Sequence, residues 1–134
     1  MASILLVEDD ADNIRLLTRL LEHHGHDITV ADNASDAVTM AGSGRPELIL
    51  MDLELPDSPG GHPDPNAGLD ATRRLKADAE TASIPVIALT AHTMAHHRER
   101  IAEAGCDDFQ EKPIFPFENL LAKIASHTGG TADS

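Results

Sequence analysis

Leu48-Ile49-Leu50-Met51-Asp52 runs through four large apolar residues without alternation and stops on a carboxylate. A strand with one wet face alternates apolar and polar residues, so an unbroken run reads as a strand covered on both faces. Two further stretches share the pattern, Ile4-Leu5-Leu6-Val7 and Val86-Ile87-Ala88-Leu89. Both also end on polar residues, Glu8-Asp9-Asp10 after the first and Thr90 after the second. Weaker strands fit Asp27–Ala31 and Asp107–Glu111.

Between these strands the apolar spacing turns helical. Ile14, Leu17, Leu20 and Leu21 form one stripe, and Ala37, Val38 and Ala41 a shorter one. Leu69, Thr72, Leu75 and Lys76 give a third, Met94, Arg98, Ile101 and Ala102 a fourth, and Phe117, Leu120, Leu121 and Ile124 a fifth. Gly25 follows the first helix, Gly42 and Gly44 the second, and Gly105 the fourth, where a left-handed residue closes a helix. Pro46 and Pro85 stand just ahead of strands. Strand then helix, five times over, predicts an α/β fold: a doubly wound, five-stranded parallel sheet with helices on both faces. Right-handed crossovers leave few windings, and the flavodoxin-like order 2-1-3-4-5 is the expected one. Residues 1–127 read as one domain, with a fraying tail over 128–134. Asp57 to Gly68 holds three Pro and three Gly without periodicity and is expected to be a long mobile loop after the third strand.

Composition narrows the function. The chain has 134 residues and a formal charge of −13, from 10 basic and 23 acidic residues. A chain this long buries roughly two-thirds of its unfolded surface and needs no disulfide or structural metal to fold. One cysteine, Cys106, cannot form an internal bridge, which favours a reducing cytoplasm. No basic flank and apolar core of a signal peptide is visible, and the apolar runs fall far short of the ~20 residues a membrane span needs. An acidic surface repels phosphate backbones and anionic lipid, and three Phe with no Tyr or Trp offer no stacking platform for bases. Neither nucleic acid nor membrane is expected as a partner.

In a doubly wound sheet, ligands bind beyond the carboxyl ends of the strands where the winding reverses. The residues delivered there are Glu8, Asp9 and Asp10, then Asp52, then Thr90, with Lys112 at the end of the last strand. Any one polar strand end is unremarkable; the combination is not. Crowded carboxylates raise one another's pKa, and a hard divalent cation such as Mg²⁺ relieves that repulsion while keeping waters and phosphate oxygens. Lys112 can pair with an incoming phosphoryl group and Thr90 can donate a hydrogen bond to it. The set describes phosphoryl transfer to a carboxylate nucleophile. It demands that the acids converge and that the Asp52 carboxylate be reachable from solvent.

Val7-Glu8-Asp9-Asp10, Met51-Asp52-Leu53-Glu54-Leu55-Pro56, Ile84-Pro85-Val86-Ile87-Ala88-Leu89-Thr90-Ala91 and Lys112-Pro113-Ile114 together resemble the receiver domain of two-component response regulators, over about Ile4 to Ile124. The resemblance implies that Asp52 is the phosphoacceptor and that Glu8 and Asp9 position Mg²⁺, with Asp9 the direct ligand. It implies the backbone carbonyl of Glu54 as a further ligand, with Asp10 near the start of the first helix. Thr90 is matched to the hydroxyl that turns toward the phosphoryl group, Lys112 to its lysine partner, and Phe109 to an aromatic rotamer switch. The Lys112–Pro113 bond matches a cis position. Implied partners are a sensor histidine kinase or a histidine phosphotransfer protein, and a downstream protein reading the fourth helix, fifth strand and fifth helix. A stand-alone signalling switch in the cytoplasm is the expected role, not a turnover enzyme. The segment from Pro56 to Gly68 is longer than the family's turn, Phe115 and Phe117 are more apolar than the family's pattern there, and the last helix is expected to start late.

An aspartate-nucleophile phosphohydrolase would carry its nucleophile at the end of the first strand with a second acid two residues on; here Asp52-Leu53-Glu54 sits on the third strand and lacks a second aspartate. A flavin module needs a hydroxyl- or glycine-rich loop after the first strand, whereas Glu8-Asp9-Asp10 would repel phosphate. A protein-interaction module that is never phosphorylated is the remaining alternative. His92 and His96 have zinc-clip spacing but no accompanying ligand set. His23 and His24 read as residues suited to a helix C-terminus, Cys106 as a packing residue, and Phe109 alternatively as simple core.

Overall fold

In the computed structural model, which describes residues 2–91, 95–114 and 116–128, the chain alternates strand and helix as expected. The elements are β1 (Ser3–Val7), α1 (Ala11–His23), β2 (Asp27–Ala31), α2 (Ala34–Gly44), β3 (Leu48–Asp52), β4 (Leu55–Pro56) and β5 (Pro63–Asp64). They continue with α3 (Ala67–Ala77), β6 (Val86–Thr90), α4 (Ala95–Ala104), β7 (Asp108–Glu111) and α5 (Phe117–Thr128). Five strands form one parallel sheet in the order β2-β1-β3-β6-β7. Setting aside the short β4–β5 hairpin, this is the 2-1-3-4-5 winding.

The unbroken apolar strands have the predicted cause. Leu5, Val7, Ile49, Met51, Val86 and Ala88 point into a core shared with α2, α3 and α4. Their neighbours Ile4, Leu6, Leu48, Leu50, Ile87 and Leu89 point the other way, onto α1 and α5. Alternate side chains thus serve two separate cores, and every residue of β3 and β6 is buried. At about 25 cal/mol per Å² of apolar surface, each large side chain buried here stabilises the fold by about 2 kcal/mol.

Helix ends follow local chemistry. Asp10 caps α1, its side chain accepting from the N–H groups of Asp12 and Asn13 at 2.9 and 3.0 Å. Asn33 caps α2 by accepting from Asp36 N–H at 2.8 Å. Gly25 and Gly105 hold the positive φ expected of residues that close helices. Gly42 and Gly44 do not: both lie inside α2, and the left-handed residue is Arg45 at φ 46°. Pro46 disfavours a right-handed helical conformation at the residue before it, which favours ending the helix at Arg45 rather than at a glycine.

The expected loop after β3 is partly ordered. Leu55 and Pro56 pair antiparallel with Asp64 and Pro63, and α3 begins at Ala67, before the loop's expected end at Gly68. The ladder and the Asn66 N–H bond to Asp64 Oδ1 at 2.8 Å supply local order that periodicity cannot register. The last helix does start late, at Phe117, and runs through Thr128, the first residue assigned to the tail. The Thr128 hydroxyl donates back to the Ile124 carbonyl at 2.9 Å, extending the final turn. Residues 129–134, His92, Met94 and Phe115, with the side chains of His96 and His97, lie outside the described residues, as does the zinc-clip spacing. No helix among the described residues is long and apolar enough to cross a membrane.

Candidate functional site

A cleft of about 670 Å³ opens over the carboxyl ends of β1, β3, β6 and β7. Glu8, Asp9 and Asp10 reach it from the end of β1, Asp52 and Glu54 from the end of β3, Thr90 from β6 and Lys112 from just beyond β7. The register explains the convergence. Val7 pairs with Met51 and Asp52 with Leu89, so the strands end level and their next residues face one another.

Glu8, Asp9 and Asp52 each offer a carboxylate oxygen within 4.8 Å of the others. Lys112 Nζ lies 3.2 Å from Glu8 Oε1 and 3.1 Å from Asp52 Oδ2. The Glu54 N–H donates to Asp52 Oδ1 at 3.1 Å, and the Asp10 N–H donates to Glu8 Oε2 at 3.2 Å. Asp52 is thereby held at both oxygens on the cleft floor. Its side chain is only 7% exposed, and what exposure it has faces the cleft it lines.

The charges do not balance: three carboxylates meet one ammonium. Burial, and then the charge and hydrogen bond of Asp52, push the Glu8 carboxyl up to about 7. Burial followed by Asp52 also raises Asp9. For Lys112 burial works downward, but the Asp52 and Glu8 carboxylates outweigh it and its ammonium is held above the ordinary lysine value. A donor set made only of oxygens, with surplus negative charge, fits a hard divalent cation.

Phe109 is not among the residues lining the cleft. It sits half-buried on β7 beside Ala88, with the Arg98 guanidinium 5.5 Å above its ring. The Lys112–Pro113 bond is cis. Cys106 packs against the core as expected, and burial pushes its thiol up to about 11.

Two contributors were not foreseen from sequence. A Cβ on Gly68 would lie 2.5 Å from the Asp52 carbonyl oxygen, so only glycine lets α3 seat against the end of β3. The Gly68 N–H donates to the Leu53 carbonyl at 3.2 Å, closing that contact. Along with Pro63 of β5 and Pro65 just after it, Arg100 of α4 also lines the cleft. It stands two residues past Arg98, off the apolar stripe, and spacing alone gives no sign of it.

A doubly wound sheet whose strand ends gather acids around an ammonium is the architecture expected of a signalling receiver, and the comparisons with known proteins agree. The chain belongs to the response regulator receiver domain family, whose model matches residues 4–125. It is 39% identical over 127 residues to the polar-differentiation response regulator DivK of Brucella anthropi, covering 95% of this chain and 96% of that one. Among solved structures it resembles the receiver domain of sensor histidine kinase PA1611 from Pseudomonas aeruginosa, at TM-score 0.81 and 32% identity, covering 96% and 98% of the two chains. That receiver holds a magnesium ion in its active-site cleft. The Vibrio cholerae chemotaxis protein CheY4 shares the fold at TM-score 0.82 and 20% identity, over 95% of this chain and 98% of its own. The family is generally one of signalling, and this chain is a phosphorelay receiver.

Proposed function

We propose that this receiver accepts a phosphoryl group on Asp52 from the phosphohistidine of a sensor histidine kinase or a histidine phosphotransfer protein, with Mg²⁺ in the cleft. The observation that carries the reading is the convergence of Glu8, Asp9 and Asp52 within 4.8 Å around a lysine 3.1 Å from Asp52. Glu8, Asp9 and Asp52 would hold the ion, Asp9 as the direct ligand of the acid pair, with the Glu54 backbone carbonyl as a further ligand. When bound, the ion neutralises the cluster and polarises the phosphoryl oxygens.

The Asp52 carboxylate then attacks phosphorus as the P–N bond to the donor imidazole breaks. The bonding pair stays on that ring nitrogen, and the imidazole leaves neutral, keeping the proton already carried by its other ring nitrogen. Lys112 moves its pairing from Asp52 to the phosphoryl oxygens, and the Thr90 hydroxyl donates to the same group. Phe109 follows Thr90 inward, which alters the face formed by α4, β7 and α5 and so the binding of a downstream protein. The chain assists only its own phosphorylation and dephosphorylation. It acts as one receiver unit over 1–127, in the cytoplasm, without contacting nucleic acid or membrane.

Incubation with acetyl phosphate and Mg²⁺, followed by intact-mass measurement of wild type and Asp52→Asn, tests the reading. One added phosphoryl group on wild type only, abolished by a chelator, is expected. Equal labelling of both proteins would place the acceptor elsewhere.

A further inference from the structure

We infer that Arg100, held by Asn66 where the chain passes from the β4–β5 hairpin into α3, is the cation that receives dianionic phosphodonors at the mouth of the cleft. This rests on Asp52 being the acceptor. The cleft is lined by Glu8, Asp9, Asp10, Asp52 and Glu54, against which the described lining sets only Lys112 and Arg100. Lys112 is already committed to Glu8 and Asp52. Arg100 differs: among the described residues it belongs to no ion pair, and its guanidinium donates instead to the neutral Asn66 amide oxygen. Arg15, Arg45 and Arg73 each pair with a carboxylate, and the other arginines in no ion pair among the described residues, Arg19, Arg74 and Arg98, do not line the cleft.

A neutral anchor orients a guanidinium without cancelling its charge, and a guanidinium has five N–H donors, enough to hold Asn66 and a phosphoryl oxygen together. The anchor itself is fixed at both ends. Asn66 N–H donates to Asp64 Oδ1 at 2.8 Å, and its carbonyl accepts from Asp70 N–H at 2.9 Å in the first turn of α3. The hairpin therefore positions a charge from α4 over a site built by β1, β3 and β7. A donor carrying two negative charges gains most from it, because it meets the strongest repulsion from the acidic walls.

The test is the rate of Asp52 phosphorylation against donor concentration, with Mg²⁺ present, for two small donors. Acetyl phosphate is dianionic at neutral pH and phosphoramidate is monoanionic. Arg100→Ala should raise the half-saturating acetyl phosphate concentration about threefold to tenfold and leave the saturated rate within about twofold. The rise should be smaller with phosphoramidate. Arg100→Lys should recover part of the loss, and Asn66→Ala should show a lesser rise in the same direction. Arg73→Ala, which removes the same charge from the outside of α3, should change nothing. An unchanged half-saturating concentration in Arg100→Ala overturns the inference. So does a loss confined to the saturated rate, or an equal effect from Arg73→Ala. Wild type that carries no label on Asp52 overturns the reading of the site itself, and this inference with it.

Discussion

Glu8→Gln should stabilise the metal-free protein, although it removes a residue of the functional site. In the folded chain the Glu8 carboxyl titrates at about 7, against 4.5 for the ordinary side chain, because it is buried beside Asp52. A group whose folded pKa is raised contributes stability that is fully present below its unfolded value and lost as pH rises through the folded one. At about pH 8 the wild type bears the whole penalty. The interval from 4.5 to about 7, at about 1.4 kcal/mol per pH unit, sets its ceiling at about 3 kcal/mol. Glutamine gives up the charge-assisted contact with Lys112, but that ammonium keeps Asp52 at 3.1 Å. The expected gain is therefore about 1–3 kcal/mol, or about 4–10 °C in Tm for a domain of this size. At about pH 5 the gap should shrink below about 1 kcal/mol, since Glu8 is then protonated in the folded wild type. Urea unfolding of both proteins in chelator at the two pH values measures this. A variant less stable than wild type at about pH 8 would refute the account of the charges in the cleft.

Lys112→Met should destabilise the chelated protein by about 2–4 kcal/mol at about pH 8 and by less at about pH 5, because Glu8 loses its charge between the two; the same urea titrations report it. Gly68→Ala should cost about 1–3 kcal/mol, since the new methyl meets backbone 2.5 Å away and α3 must lift off β3; thermal unfolding gives the loss and the acetyl phosphate assay should show slower labelling of Asp52. Cys106, with its thiol pushed up to about 11, should react with iodoacetamide at near-neutral pH on the order of 30- to 100-fold more slowly in the folded chain than in urea.

The strands were the most legible part of this chain. Unalternating runs such as Leu48–Met51 have one physical explanation, coverage on two faces, and the two cores they feed confirm it. The residues ending those runs were legible for the same reason, because a strand delivers its next residue to a known edge. Helix ends were read less well where a neighbour decided them. Pro46 favours the stop at Arg45, so Gly42 and Gly44 did not mark the end. The hairpin over Leu55–Asp64 was hidden because two-residue strands are too short to show a period. Arg100 and Gly68 were invisible for a deeper reason. Each matters through a partner far along the chain, Asn66 for one and the Asp52 backbone for the other.

The β4–β5 ladder also governs how the segment after β3 can change in length. Because Leu55 and Pro56 lie directly across from Asp64 and Pro63, the chain leaves and returns at almost the same place. Residues between those rungs can be inserted, deleted or exchanged without moving the strand before them or the helix after them, as loop closure grows only slowly with length. The hairpin is in effect a graft point beside the phosphorylation cleft, where descendants of this sequence can acquire new recognition surface while the sheet beneath stays unaltered.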